Sequence, residues 1–258
     1  MTEAKAYKGY LIDLDGTMYR GSEKIPAASR FVKKLADRGI PYLFVTNNSS
    51  RTPAQVAEKL VAMDIPATDA HVFTTSMATA QYIHETYGEA KVYMIGEEGL
   101  EQALKDRALT LTDEDADAVV IGLDREITYE KLAKACLNVR SGAAFLSTNG
   151  DVAIPTERGL LPGNGSLTSV VKVSTGTDPL FIGKPESIIV NQALEVLGTS
   201  KEETVMVGDN YETDIMAGIN AGMDTLMVHT GVTPKSALPE KPVKPTYSFD
   251  TLDDWQVI

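Results

Sequence analysis

The chain predicts an α/β fold: a doubly wound parallel sheet into which a smaller α/β module is inserted. Three observations carry that expectation. Short apolar runs alternate with amphipathic stretches at both ends of the chain, the pattern of βα units whose sheet is covered on both faces. A further set of strand-like and helical segments fills residues 80–179, enough chain for a core of its own. Apolar residues make up 43% of the 258 positions against 23% charged, so both parts have core material and no tract is biased toward disorder. The expected division is an outer domain of residues 1–79 and 180–258 and an inserted domain of 80–179. Periodicity alone leaves open a single larger sheet.

Taken in order, Tyr10–Asp13 is a strand, and Ala28, Phe31, Val32 and Leu35 follow the i, i+3, i+4, i+7 stripe of a helix closed by Gly39. "PYLFVTNNS" (41–49) is a second buried strand, and Pro53 opens a helix through Val56 and Leu60. "HVFTT" (71–75) is a third strand, with Ser76 as N-cap of the next helix. In the middle, 91–96, 117–122 and 143–148 read as strands and 98–106 and 128–140 as helices. Leu132, Ala135, Cys136 and Val139 share one helical face, so the lone cysteine reads as packing. "PGNGS" (162–166) reads as a turn into a helix at Leu167–Val171 rather than as a phosphate loop. "PLFIG" (179–183), "TVMVGD" (204–209) and "TLMVH" (225–229) are further strands of the outer sheet, separated by helices, and a last strand falls near Tyr247–Phe249.

The net charge is −12 and no Lys or Arg cluster stands out, which argues against nucleic acid or an anionic membrane as partner. The N-terminus lacks the apolar run of a signal peptide, and no segment approaches the ~18 apolar residues that span a bilayer. One cysteine cannot form an internal disulfide, so a cytoplasmic protein is expected. An anionic substrate would then require local positive charge against the field of the whole molecule.

The chemistry gathers at strand ends. Asp13 follows "YLI", Thr46 follows "LFV", Lys184 follows "LFIG" and Asp209 follows "VMVG". Ligands of parallel α/β sheets bind at the carboxyl ends of the strands, so these groups converge if their strands are neighbours. Each also has an ordinary reading: Asp209 and Asp214 as helix caps, Thr46 with Asn47 and Asn48 as turn chemistry, Lys184 as a solvated residue before Pro185. Two like charges about 4 Å apart repel by roughly 4 kcal/mol at an effective dielectric near 20, so carboxylates such as Asp13 and Asp15 call for a cation. Asp13 and Asp209, with Asp15 contributing near its backbone, offer hard oxygen ligands suited to Mg²⁺. Asp13 is then the nucleophile for phosphorus, and Asp15, ahead of Gly16, the acid and later the base. Thr46 and the amides after it hold phosphate oxygens, Lys184 supplies fixed charge, and Asp214 orients Lys184 or a water on the metal.

These residues resemble the haloacid dehalogenase superfamily of phosphohydrolases. "DLDGT" looks like its first motif, Thr46 in "FVTNNS" its second, Lys184 in "GKP" its third and "GDNYETD" its fourth. Thr46 follows Asp13 too closely for a cap domain between them, whereas more than half the chain separates Thr46 from Lys184. The insertion thus sits where C2-type caps sit, and with "TNNSSRT", "STNGD" and "LPGNGS" the chain is similar to the NagD-like branch. That resemblance implies a Mg²⁺-dependent phosphatase of sugar phosphates, acid sugar phosphates and other small metabolites, with nucleoside monophosphates, pyridoxal phosphate or p-nitrophenyl phosphate as the alternative. It implies phosphate contacts from Thr46, Asn47 and Lys184, metal contacts from Asp13, Asp15 and Asp209, and leaving-group contacts from Asn149 and Asp151 of the cap.

The rival from another class is a receiver domain, a phosphorylated-Asp switch that shares the Asp, Thr and Lys. Asp15 and the inserted module favour turnover instead. Phosphomutases would differ in acceptor, and a dehalogenase needs neither Asp15 nor a metal. No histidine lies near the motifs, so His71, His84 and His229 read as structural or surface residues. The partner expected is a small phosphorylated metabolite, and an exposed cap sheet is compatible with a homodimer.

Overall fold

The computed structural model describes residues 5–156 and 158–258, and the chain divides into two compact units. The outer unit comprises residues up to Thr46, Ala54–Phe73 and Lys184–Ile258; the inserted unit comprises Asn47–Pro53 and Thr74–Gly183. The inserted unit therefore starts at Thr74 rather than 80, ends at Gly183 rather than 179, and takes in the short segment 47–53. The reason is tertiary. The helix over Thr75–Tyr87 packs on the helix over Glu98–Asp106, a contact that periodicity does not reveal.

The outer unit opens with β1 (Gly9–Ile12), a small antiparallel ribbon of β2 (Tyr19–Arg20) and β3 (Glu23–Lys24), and α1 (Pro26–Asp37). Pro26 lies in the first turn of α1, where a missing N–H leaves no bond unmade, and Gly39, at φ +64°, ends it. β4 (Tyr42–Thr46) is buried throughout, followed by α2 (Pro53–Ala62) and β5 (Val72–Thr74). The inserted unit runs through α3 (Thr75–Tyr87), β6 (Lys91–Ile95), α4 (Glu98–Asp106), β7 (Thr110–Leu111), β8 (Ala118–Ile121), α5 (Tyr129–Arg140) and β9 (Ala144–Ser147). It finishes with the antiparallel pair β10 (Ala153–Thr156) and β11 (Gly159–Pro162), then α6 (Asn164–Thr175) and β12 (Leu180–Phe181). The chain returns to the outer unit through α7 (Ser187–Leu197), β13 (Thr204–Gly208), a π-helical turn at Tyr211–Ile215, α8 (Met216–Ala221), β14 (Asp224–Val228) and β15 (Tyr247–Phe249).

The outer sheet has strand order β15-β14-β13-β1-β4-β5. Its centre is β1, parallel to β13 with Tyr10 opposite Val205 and parallel to β4 with Leu11 opposite Leu43. Burial of Tyr10, Phe31, Phe44 and Trp255 fills one face, with the Tyr10 and Phe31 rings edge to face at 5.5 Å. The inserted sheet, β12-β9-β8-β6-β7, is parallel as well and packs Ile121, Phe145 and Val171 in its own core, against which Cys136 lies half-buried.

Three local expectations change. "PLFIG" does not join the outer sheet: Leu180 and Phe181 pair with Leu146 and Ser147 of β9, so this strand closes the inserted sheet. Thr74, not Ser76, caps α3, its side chain accepting from the Met77 amide at 3.2 Å, while the Ser76 hydroxyl donates to the Ser49 carbonyl. The helix expected at Leu167–Val171 begins earlier, at Asn164, because Gly163 and Gly165 let the backbone at Gly150 and Asp151 approach where a methyl group would overlap it. Among the described residues no helix is long and apolar enough to cross a membrane.

Candidate active site

Because β13, β1 and β4 are adjacent and parallel, their carboxyl ends form one rim of the outer sheet. Asp13 directly follows β1, Asp209 directly follows β13, and Thr46 is the last residue of β4. All three are buried. The Asp13 amide donates to the Val207 carbonyl at 2.9 Å, extending the β1–β13 ladder by one bond and setting the direction in which Asp13 leaves the strand.

Lys184 reaches this rim by another route than expected. It follows β12 of the inserted sheet rather than a strand of the outer one, and is the first residue of the returning outer segment, ahead of a cis Pro185. Its ammonium group is buried, with the residue only 2% exposed, and donates to Asp13 Oδ1 at 2.5 Å, Asp214 Oδ1 at 2.7 Å and the Val45 carbonyl at 3.0 Å. Burial pulls the Lys184 pKa down, but Asp13 and Asp214 outweigh it and hold the group above its ordinary value, so it remains a cation.

Asp214 sits on the π-helical turn, where Asn210 supplies the N-cap. Its second oxygen accepts from the Asn210 amide at 3.0 Å, and Thr213 adds a hydroxyl at 3.2 Å to the first. Asp13, Asp209 and Asp214 offer carboxylate oxygens within 4.8 Å of one another. Asp209 is held by the Thr17 hydroxyl at 3.0 Å and the Val232 amide at 2.6 Å, one on each oxygen. Burial, followed by the charge of Asp214, pushes Asp209 up to about 6, and burial with the same neighbour raises Asp13 well above the usual carboxylate range. Three buried carboxylates against one ammonium leave a local deficit of positive charge. This donor set of hard oxygens fits a divalent cation.

Asp15 stands apart from that cluster. It is exposed, on a turn closed by the Met18 amide to Leu14 at 2.7 Å and the Gly16 amide to Tyr19 at 2.7 Å, with Gly16 at φ +92°. Within the inserted unit, Asn149 donates to the Asn47 carbonyl at 2.8 Å and accepts from the Asp151 amide at 3.1 Å, and Asn47 donates to Asp151 Oδ2 at 3.3 Å. The three residues expected to serve phosphate and leaving group are thus brought together, with both ends of the Asn149 amide engaged on backbone. The histidines match their structural reading: His71 stacks on Tyr42 at 4.7 Å and His229 bonds Ser248 and the Thr233 carbonyl.

Thr17, Gly208, Thr230 and Gly231 were not among the candidates, yet they shape the rim. A methyl group on Gly208 would overlap Asp214, and one on Gly16 or Gly231 would overlap the Asp209 carboxylate. The available signal was small residues next to the strand ends, in "DGT" after β1, "VGD" at the end of β13 and "HTGV" after β14.

A family model described as haloacid dehalogenase-like hydrolase matches residues 10–110, and one described as HAD-hydrolase-like matches residues 181–255. The chain is 67% identical over 251 residues to 5'-nucleotidase YutF of Bacillus subtilis strain 168, covering 97% of this chain and 98% of that protein. It is 58% identical over 251 residues to the acid sugar phosphatase of Staphylococcus aureus strain USA300, covering 97% of each. The solved structure of NagD from E. coli K-12 superposes with a TM-score of 0.93 at 31% identity, covering 98% of this chain and all (100%) of that one.

Proposed function

Since the chain belongs to the haloacid dehalogenase-like hydrolase family, in its NagD-like branch, and is a phosphatase, we propose that it hydrolyses small phosphomonoesters by transferring the phosphoryl group to Asp13. The observation that carries this reading is the Asp13–Lys184–Asp214 array beside Asp209, all buried at one rim of the sheet.

Lys184 holds Asp13 Oδ1, which limits rotation of the carboxylate and presents it in one orientation. Asp13 attacks phosphorus; the new O–P bond forms as the bond to the leaving oxygen breaks, and Asp15 donates a proton to that oxygen. Asp15, now ionised, removes a proton from water, whose oxygen attacks the phosphorus of the aspartyl-phosphate. Inorganic phosphate departs and the Asp13 carboxylate is restored. The exposure of Asp15 suits this exchange with solvent. Thr46 and Asn47 hold phosphate oxygens, and Lys184 offsets their charge. Asp13, Asp209 and the main chain at Asp15 would hold Mg²⁺, which when bound screens carboxylate from phosphate. Asp214 stays with Lys184, because its oxygens already accept from that ammonium and the Asn210 amide.

The substrate class is a sugar phosphate or acid sugar phosphate, in keeping with the acid sugar phosphatase relative. A nucleoside monophosphate is the second reading, favoured by the higher identity to a protein named a 5'-nucleotidase. A cytoplasmic setting goes with either, since one cysteine asks for no oxidising compartment. The test is hydrolysis of p-nitrophenyl phosphate, sugar phosphates and nucleoside monophosphates with MgCl₂, by wild type and Asp13→Asn. Wild-type turnover that disappears in Asp13→Asn and in EDTA supports the reading; turnover persisting in either overturns it.

A further inference from the structure

Asp209 differs from its two neighbours in what steadies it. Asp13 and Asp214 share the Lys184 ammonium, whereas the two oxygens of Asp209 accept from neutral donors, the Thr17 hydroxyl and the Val232 amide. Neutral donors fix the plane of a carboxylate without discharging it, and leave each oxygen with further acceptor capacity. Both donors come from two loops of the outer unit that are fastened to each other.

The first is the turn after the nucleophile, Asp13–Arg20. The second is His229–Thr233, which leaves the end of β14. Its Thr230 hydroxyl, buried, donates to the Gly16 carbonyl at 2.6 Å, and Arg20 Nε donates back to the Thr230 carbonyl. The far end is tied as well: the Thr233 amide donates to the Asp209 carbonyl at 3.3 Å, and the Thr233 hydroxyl accepts from the Tyr211 amide at 2.9 Å. His229 anchors the start, its amide donating to the Phe249 carbonyl at 3.1 Å and its ring bonding Ser248 Oγ at 2.8 Å. Between these anchors Gly231 passes so close to Asp209 and to the Gly16 Cα that no side chain fits. A displacement of this segment therefore reaches the carboxylate directly.

We propose that His229–Thr233 is a positioning strap for Asp209, latched by Thr230 to Gly16 and by Arg20 to Thr230, and that these latches set the affinity of the site for its divalent cation. The inference rests on the Mg²⁺ reading above. It makes Thr230, Gly231 and Arg20 positioning residues that act through Asp209. Loss of a partner that orients a metal ligand costs about 10–100-fold in metal affinity, and a broken latch belongs in that range.

The test uses the full chain and a readout independent of turnover: the unfolding midpoint in EDTA and across a MgCl₂ titration, for wild type, Thr230→Val, Thr230→Ser, Arg20→Ala and Gly231→Ala. Thr230→Val keeps the side-chain shape and removes the hydroxyl, so its metal-free midpoint stays near that of wild type while the MgCl₂ concentration for half-maximal stabilisation rises about 10-fold or more. Thr230→Ser restores the wild-type titration. With p-nitrophenyl phosphate, the kcat lost by Thr230→Val returns at higher MgCl₂ while KM stays put. Should Gly231→Ala fail to fold, Thr230→Val and Arg20→Ala still decide the matter. Titrations of those two that superpose on wild type overturn the strap, as does a lower metal-free midpoint with an unchanged Mg²⁺ requirement. A wild type that MgCl₂ does not stabilise removes the cation reading itself, and the strap's role with it.

Discussion

Replacing Lys184 with methionine keeps most of the side-chain volume and removes the charge, which isolates what the ammonium does. In the native site its three hydrogen bonds go to Asp13, Asp214 and the Val45 carbonyl, and the residue is 2% exposed. Removing one partner of a buried ion pair costs about 3–5 kcal/mol, because the carboxylates left behind have no water to turn to. Against a typical domain stability of about 5–15 kcal/mol that is a large loss. Urea unfolding of Lys184→Met in EDTA at pH 8 should show it. Adding Asp214→Asn removes one of the stranded charges, so the double variant should recover about 1–3 kcal/mol of the loss. The pH dependence has a definite sign. Asp13 is raised by burial and then by Asp214, so its folded-state pKa exceeds the unfolded value near ~3.9. Its favourable contribution is complete at low pH and is lost as pH rises through the folded value. The deficit of Lys184→Met is therefore smaller at pH 5 than at pH 8. A loss below about 1 kcal/mol, or an equal loss at both pH values with no relief from Asp214→Asn, would refute the reasoning.

Two further outcomes are expected. Gly208→Ala puts a methyl group where the Asp214 side chain lies, displacing the residue that steadies Lys184, so kcat on p-nitrophenyl phosphate should fall about 10²-fold while the far-ultraviolet dichroism stays native. At the start of β14, burial raises the Asp224 pKa, but hydrogen bonds from Lys5 and Tyr7 outweigh it and hold the carboxyl below the usual range. Such a group adds stability above its unfolded pKa and loses it as pH falls through the folded one. Asp224→Ala should cost about 1–3 kcal/mol in urea at pH 7, with the gap to wild type closing below pH about 4; a gap that persists in acid would count against the assignment.

The outer sheet and three of its four rim residues were legible because burial leaves a plain mark. A four- or five-residue apolar run such as "YLFV" or "TVMV" can only be covered on both faces, and a carboxylate or hydroxyl at its end is then conspicuous. Lys184 was legible by type but not by route, since a strand of two residues, Leu180–Phe181, carries no period that says which sheet it joins. The same limit hid the start of the inserted unit, where a helix at Thr75–Tyr87 could face either core until its packing on Glu98–Asp106 is seen. The β10–β11 pair carries no strand signal in the sequence, because Pro155 and Gly159 interrupt two runs of only four residues each. Thr17 and Thr230 were invisible for another reason: the bonds from their hydroxyls join residues 192 and 214 positions apart, and no local pattern encodes such a pair.

The doublet "DLD" misplaces the electrostatic problem when it is read along the chain. Asp13 is buried at the end of a strand and Asp15 is exposed beyond it, so water screens the pair that sequence brings together. The repulsion that matters lies among Asp13, Asp209 and Asp214, distant in sequence and within 4.8 Å in space. Its compensation is divided. Asp13 and Asp214 share a lysine that is part of the chain and stays charged; it draws the Asp13 pKa down against burial and Asp214, and it holds the nucleophile in one orientation whether or not substrate is present. Asp209, pushed up to about 6 by burial and held by neutral donors, is the carboxylate whose charge an exchangeable cation has most to gain by meeting. On the proposed reading, orientation of the nucleophile is then a property of the fold, while readiness for a phosphate dianion depends on the cation, and a molecule of net charge −12 needs positive charge only where the reaction takes place.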